Sequence, residues 1–307
     1  MQVQAVDHFS LVETVVSKTS ELVDYFTRIE ALARQQSCDV YWRGQADQSW
    51  SVTSSLVRRM SSDALTDGEL RDAEASILQE AQRWMSQTAP DLRSDLEWLA
   101  YLQHNWVPTR LLDFTPDPLV ATFFACESLD MVDGRVFAVL VKNDQKPVLD
   151  GSTAYEINKT PSGQVRVFRP RPQVSPRLAA QSGVFILGKL PSTHVNRWVK
   201  DEFVRERQML KDEVASIMSL PFYFRREDQA ARPTSLAVAA YTARIHINKA
   251  SVRRELRREG PGNRNLKPTT RIDHAYCYPD VDGMRRYSRT WEKVFVGASQ
   301  PTGAYTV

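Results

Sequence analysis

Residues 39–45 read DVYWRGQ. Val40, Tyr41 and Trp42 all favour strands, and the run stops at an arginine beside a glycine. Arg43 is either an exposed cation at a turn or a guanidinium fork presented to an anion, the geometry that suits phosphate and ribose oxygens. Gly44 allows a close approach to the backbone, which the sequence reads as room for a ligand.

On the N-terminal side, residues 20–36 (SELVDYFTRIEALARQQ) set Leu22, Tyr25, Phe26, Ile29 and Leu32 at helical spacing, with Ser20 as the expected cap. On the C-terminal side, SWSVTSSLVRR (49–59) reads as a second extended segment. Residues 67–88 and 92–104 carry helical periodicity. PLVATFFACESL (118–129) is an apolar helix with proline near its start, where a missing N–H is tolerated. GRVFAVLVKN (134–143), GVFILG (183–188) and AYTARIHI (240–247) read as strands, and residues 201–219 as a helix. SVRRELRREG and YPDVDGMRRYS predict two short helices near the end, and RVFRPRPQVSPR (166–177) a basic loop. Strands cluster before residue 60 and after residue 134, with helices between them. That order is α+β rather than a βαβ alternation, and with no repeat or low-complexity tract it predicts one domain over 1–307.

Composition sets the class. A chain of 307 residues with 42% hydrophobic and 25% charged residues builds a core without staples or metals. A net charge of +3 is too small to argue for nucleic acid by itself. Cys38, Cys126 and Cys277 are odd in number and far apart, which fits a reducing cytoplasm and neither a zinc site nor a disulfide framework. MQVQAVDHFS lacks the basic-then-apolar pattern of a signal peptide, and no apolar run reaches the roughly 20 residues of a membrane helix. A soluble cytoplasmic protein with no membrane partner is expected. No tight group of carboxylates and histidines favours a metal-dependent nuclease.

The second informative stretch is QHNWVPTRLLDFTPD, residues 103–117. Read structurally, Asp113 or Thr115 caps the helix that follows Pro116, and Arg110 pairs with Asp113. Read functionally, the same residues assemble a polar site. His104 either donates to a substrate or ends a helix. Trp50, Trp106, Phe114 and Phe124 either stack on a planar ligand or fill the core. Arg166, Arg169, Arg171 and Arg177 either steer an anion or lie in a solvated loop.

Taken together, YWRGQ and QHNWVPTRLLDFTPDPLVATFFA resemble the FRG domain family, named for a Phe/Tyr-Arg-Gly signature. The second family block falls on Gln103, His104, Pro108, Thr109, Arg110, Leu111, Leu112, Asp113, Phe114, Thr115 and Ala121. RLAAQSGVFIL, with Gln181, Gly183 and Phe185, resembles a later family segment. YPDVDGMRRY, with Pro279, Asp280, Asp282 and Gly283, resembles the closing block. The resemblance spans about residues 37–290, with residues 199–235 standing out as a helical insertion. Asn105-Trp106-Val107 departs from it, a tyrosine–glycine pair being usual there.

By analogy of element order, the resemblance implies an ADP-ribosyltransferase-like split β-sheet core with an N-terminal helical region. It implies NAD as substrate and no metal. It puts Arg43, Gly44, Gln45, Arg110 and Thr115 in the NAD-binding set, and Asp113, Gln181 and His104 in the catalytic set. Gln181 stands where a glutamate is expected. A carboxylate steadies positive charge on the ribose and takes the nucleophile's proton, whereas glutamine only orients and hydrogen-bonds. Asp113 is therefore the first candidate for the base. The implied function is ADP-ribosylation of a macromolecule, RNA or DNA included, by a toxin or phage-defence effector that an antitoxin or regulatory protein holds in check. Two alternatives stand beside it: a non-catalytic nucleotide- or nucleic-acid-binding module, and an NAD glycohydrolase.

Overall fold

The computed structural model describes residues 9, 12–60, 67–142, 165–188, 198–200, 206–208, 222–224, 238–258 and 270–288. Its elements, in chain order, are β1 (Glu13–Val16), α1 (Thr19–Gln35), β2 (Cys38–Gln45), α2 (Ser55–Met60), α3 (Asp67–Trp84), α4 (Asp95–His104), β3 (Leu112–Phe114), α5 (Pro118–Cys126) and β4 (Gly134–Lys142). Then follow β5 (Val165–Phe168), a 3-10 turn (Pro172–Val174), α6 (Pro176–Ala180), β6 (Val184–Gly188), β7 (Trp198–Lys200), β8 (Glu206–Gln208), β9 (Phe222–Phe224), β10 (Val238–Ile245), α7 (Lys249–Leu256), α8 (His274–Cys277) and α9 (Val281–Ser288). The chain is an α+β protein. No helix among the described residues is long and apolar enough to cross a membrane.

The strand β4 organises the core because both of its faces are apolar. It pairs antiparallel with β2 on one edge and β10 on the other. The far edge of β10 takes β9 and β1 one after the other, both parallel. Along β4 the side chains alternate between two cores, as a strand's period of two requires. Val136, Ala138 and Leu140 join Trp42, Tyr241 and Ala243 beneath α1, α5 and α7. Phe137, Val139 and Val141 face a second, antiparallel sheet ordered β3-β6-β5. That second sheet alternates in the same way. Val184 and Ile186 point toward β4, while Phe185 and Leu187 point outward to Leu96, Leu99 and Leu102 of α4. The layers therefore run helices, large sheet, small sheet, helices. Trp42 and Thr115 join the sheets by exchanging both backbone hydrogen bonds, at 2.7 and 2.8 Å.

Helix α5 is buried nearly all round, and glycines let it lie flat on the large sheet. A Cβ on Gly44 would stand 1.8 Å from the Ala121 carbonyl oxygen, and one on Gly134 2.3 Å from that of Ala125. Gly44 is thus required by a helix backbone, a packing reason that its strand does not disclose. The α5 start is set by Asp117, whose Oδ1 accepts from the Leu119 N–H, and by Pro118 at its first turn. Asp117 holds the capping place expected of Asp113 or Thr115.

Several local expectations change. Ser20 does not cap α1; the side chain of Glu21 reaches back and accepts from the Ser17 N–H. The extended segment expected at 49–59 is not a strand, and from Ser55 it is α2, with Ser54 Oγ accepting from the Val57 N–H. The basic stretch 166–177 holds β5, the 3-10 turn and the start of α6 rather than a plain loop. Of the helix expected at 201–219, only 206–208 lie among the described residues, and they form β8, paired with β7. Pairing with a neighbour overrides a local helical period.

Candidate functional site

A cavity of about 230 Å³ opens where β2, β3, α4, α5, α6 and α9 converge, beside the Trp42–Thr115 bridge. Arg43, His104, Asp113, Thr115 and Gln181 all line it. Gly44 lines it as well. These residues are spread over 139 positions of sequence, from 43 to 181, and the junction of the two sheets brings them together.

Arg43 extends from β2 and is held from one side. Its Nη1 donates to the Asp113 carbonyl oxygen at 2.8 Å and lies 3.6 Å from Asp113 Oδ2. Its Nε is buried and has no hydrogen-bond partner among the described residues. Burial lowers the Arg43 pKa, and Asp113 opposes that. A guanidinium starts so high that it stays charged at neutral pH. Arg43 therefore pairs internally with Asp113, one of its two readings.

Asp113 is 54% exposed at the cavity rim. Gln103 fixes it. Gln103 Nε2 donates to Asp113 Oδ2 at 2.8 Å and to the Leu111 carbonyl at 3.1 Å, and Gln103 Oε1 accepts from the Thr109 hydroxyl. His104, at the end of α4, is pulled down to about 4, chiefly by burial, so its imidazole is neutral at pH 7. Its Nδ1 is buried and without a partner among the described residues. This side of the cavity thus carries the fixed Asp113 carboxylate, the Arg43 guanidinium and a neutral imidazole.

Thr115 and Gln181 are committed to structure. The Thr115 hydroxyl donates to the Gln181 carbonyl at 2.8 Å and accepts from the Asp117 N–H. Gln181 sits at the C-terminal end of α6, three residues before β6, and its Nε2 donates to the Cys277 carbonyl at 2.6 Å. Two of the expected binding residues fall outside the cavity lining. Gln45 is buried and donates to the Ser51 carbonyl. Arg110 is buried and its Nε lies 2.9 Å from Glu74 Oε2. A guanidinium and a carboxylate removed from water together attract strongly, so Arg110 ties α3 to the segment before β3. It does not pair with Asp113.

The opposite wall comes from Arg177, offered by the sequence as an anion-steering residue, and from Tyr278 and Arg286, which the sequence reading gave no site role. Arg177 forms a two-pronged ion pair with Asp280, which also accepts from the Gly283 N–H at the start of α9. The Tyr278 hydroxyl donates to Glu127 Oε2 at 2.9 Å and accepts from Arg286 Nη1 at 2.7 Å. Arg286 also lies over the rings of Trp106 and Tyr278, at 4.3 and 4.7 Å. Arg171 is spent on Glu97, which accounts for one cation of the basic stretch. Among the described residues no cluster of His, Cys, Asp and Glu is placed to hold a metal ion.

Residues 38–133 match the family model of the FRG domain. The chain carries an FRG domain. No curated protein and no solved structure matches the chain. The FRG segment runs from β2 through α5 and supplies Arg43, Gln103, His104, Asp113 and Thr115. The wall of Arg177, Gln181, Tyr278 and Arg286 lies beyond the matched residues.

Proposed function

We propose that the FRG domain is an NAD-dependent ADP-ribosyltransferase acting in the cytoplasm on a macromolecular acceptor, RNA or DNA included. One observation carries the reading. Arg43, His104 and Asp113 converge on a single cavity, and two buried nitrogens of its lining residues, Arg43 Nε and His104 Nδ1, have no partner among the described residues. Buried polar groups are normally paired, so the site is suited to a polar ligand. The layering of two sheets joined at Trp42–Thr115 supports kinship with the split core of that enzyme fold.

The volume favours one half of a dinucleotide. Drug-sized ligands occupy cavities of roughly 300–1,000 Å³, and this one is smaller. The nicotinamide–ribose half enters it. Arg43 binds an oxygen of the ribose or the adjoining phosphate, and neutral His104 supplies a hydrogen bond without adding charge. The bond from the ribose to nicotinamide breaks, nicotinamide leaves, and the acceptor bonds to the same ribose carbon while Asp113, oriented by Gln103, takes the acceptor's proton. Gln181 orients through its backbone and takes no proton.

A second reading is favoured by the Gln181 amide, which is bound to Cys277 and offers no base. On that reading the domain binds a nucleotide without turning it over. The discriminating experiment incubates the purified chain and adenylate-labelled NAD with cell lysate, then splits the mixture among protease, RNase and DNase. Label that follows one macromolecule, and that vanishes in folded Arg43→Ala and Asp113→Asn proteins, supports transfer. Free ADP-ribose with no labelled target indicates a glycohydrolase. Bound NAD with no turnover indicates the binding module.

A further inference from the structure

Helix α4 ends in a way that a tryptophan does not suit. The Trp106 N–H donates to the Gln103 carbonyl at 3.1 Å and the Val107 N–H to the Leu102 carbonyl at 3.0 Å. This pair of bonds closes a helix by turning one residue into the left-handed region, where glycine is the usual occupant. Here that residue is Trp106, with φ 67°. Bulky side chains adopt this conformation rarely and with strain. Burial does not offset the strain, because Trp106 is 61% exposed. Yet the indole lines the cavity, and Arg286 stands 4.3 Å from its ring centre. Arg286 is itself fixed, by the Tyr278 hydroxyl at 2.7 Å and by Glu127 at 3.6 Å.

We infer that the Trp106 indole, backed by the Arg286 guanidinium, is a base-stacking subsite for a nucleotide on the rim of the cavity. A fixed indole with accessible ring surface takes a planar base of any identity. The surrounding charge selects a base that carries phosphate. Arg43, Arg177 and Arg286 line the cavity, against Asp113 as the one carboxylate among the lining residues described. Two nucleotides fit this chemistry. One is the adenylate half of NAD, which the small cavity leaves outside, and this source rests on the function proposed above. The other is a base of a single-stranded acceptor.

The test is calorimetric titration of the full chain with NAD, AMP, nicotinamide mononucleotide and a single-stranded RNA oligonucleotide. It is run on the parent protein and on Trp106→Phe, Trp106→Ala and Trp106→Gly. Loss of a stacking ring is expected to weaken binding on the order of 5- to 100-fold in the Ala and Gly proteins. Phenylalanine should retain most of the affinity. A drop confined to NAD and AMP, with nicotinamide mononucleotide unchanged, assigns the subsite to the adenylate half. A drop confined to the oligonucleotide assigns it to the acceptor. Glycine fits φ 67°, so Trp106→Gly should melt at or above the parent temperature, and its weakened binding cannot then be blamed on unfolding. The inference is overturned if the Ala and Gly proteins bind all four probes as the parent does, or if Phe loses as much as Ala. If the parent binds the oligonucleotide but not NAD, the proposed transferase fails while the oligonucleotide series still decides the subsite. If the parent binds none of the probes, the subsite fails as well.

Discussion

Replacing Gly44 with alanine tests how the arginine of the opening strand is held in place. The new methyl would stand 1.8 Å from the Ala121 carbonyl oxygen and 2.7 Å from the Ala125 nitrogen. Cβ contacts below 3.0 Å are essentially never seen, so α5 and β2 must part by about 1.2 Å. Both obstructing atoms belong to the helix backbone, and no side-chain rotation relieves them. Overpacking a core typically costs about 1–3 kcal/mol. The backbone clash puts Gly44→Ala at the upper end, about 3 kcal/mol, because Val120, Phe123 and Ala125 of α5 must shift together within one core. For a chain of this size that lowers the melting temperature by roughly 5–10 °C. Urea and thermal unfolding, followed by far-ultraviolet circular dichroism, give the two readouts. A Gly44→Ala protein with the parent's midpoints and impaired nucleotide binding would refute the packing explanation. The glycine would then serve ligand approach, as the sequence first suggested.

Two further outcomes separate structural from functional polar groups. Arg110→Met leaves the Glu74 carboxylate buried beside an apolar chain and should cost about 3–5 kcal/mol, with Glu74→Met added to it restoring most of the loss. Nucleotide affinity of the folded Arg110→Met protein should match the parent, and an affinity loss without destabilisation would return Arg110 to the binding set. His104 sets a pH dependence. Its pKa falls from 6.5 in the unfolded chain to about 4 in the fold, so the unfolded state binds the proton first. The stability associated with neutral His104 is full above pH 6.5 and is lost as pH falls toward 4, by up to about 3 kcal/mol. Denaturant midpoints measured across that window should fall more steeply in the parent than in His104→Gln, and parallel curves would contradict this placement of the imidazole.

Much of the fold was legible because its signals are local. The unbroken apolar run of β4 marks a strand buried on both faces, and the spacing of Leu22, Tyr25, Phe26 and Ile29 marks one face of α1. Where the outcome depends on a partner far away, the sequence is silent. Val52 and Thr53 favour strands, but they form no strand, and the chain turns into α2 at Ser55 with Ser54 Oγ at its start. Gly44 reads as open space, because nothing in DVYWRGQ reveals the helix lying on it. The site was legible where one short motif carries it, as with His104 and Asp113 on either side of a turn. Arg110 lies in the same motif but points away, since its partner, Glu74, sits 36 residues earlier. Tyr278, just after α8, and Arg286, on α9, reach the cavity from the last segment, and their signal was present in YPDVDGMRRY, where aromatic rings flank two arginines. Trp106 carried a signal too, as a bulky residue where the resemblance favours a tyrosine–glycine pair.

The most direct measurement is calorimetric titration of NAD into the full chain and into Arg43→Ala at neutral pH. If the cavity is an NAD site, the parent shows saturable one-to-one binding, and Arg43→Ala, folded by circular dichroism, loses at least tenfold in affinity, as about 1.4 kcal/mol or more of charge-assisted bonding disappears. No binding by the parent, or equal binding by Arg43→Ala, would contradict it.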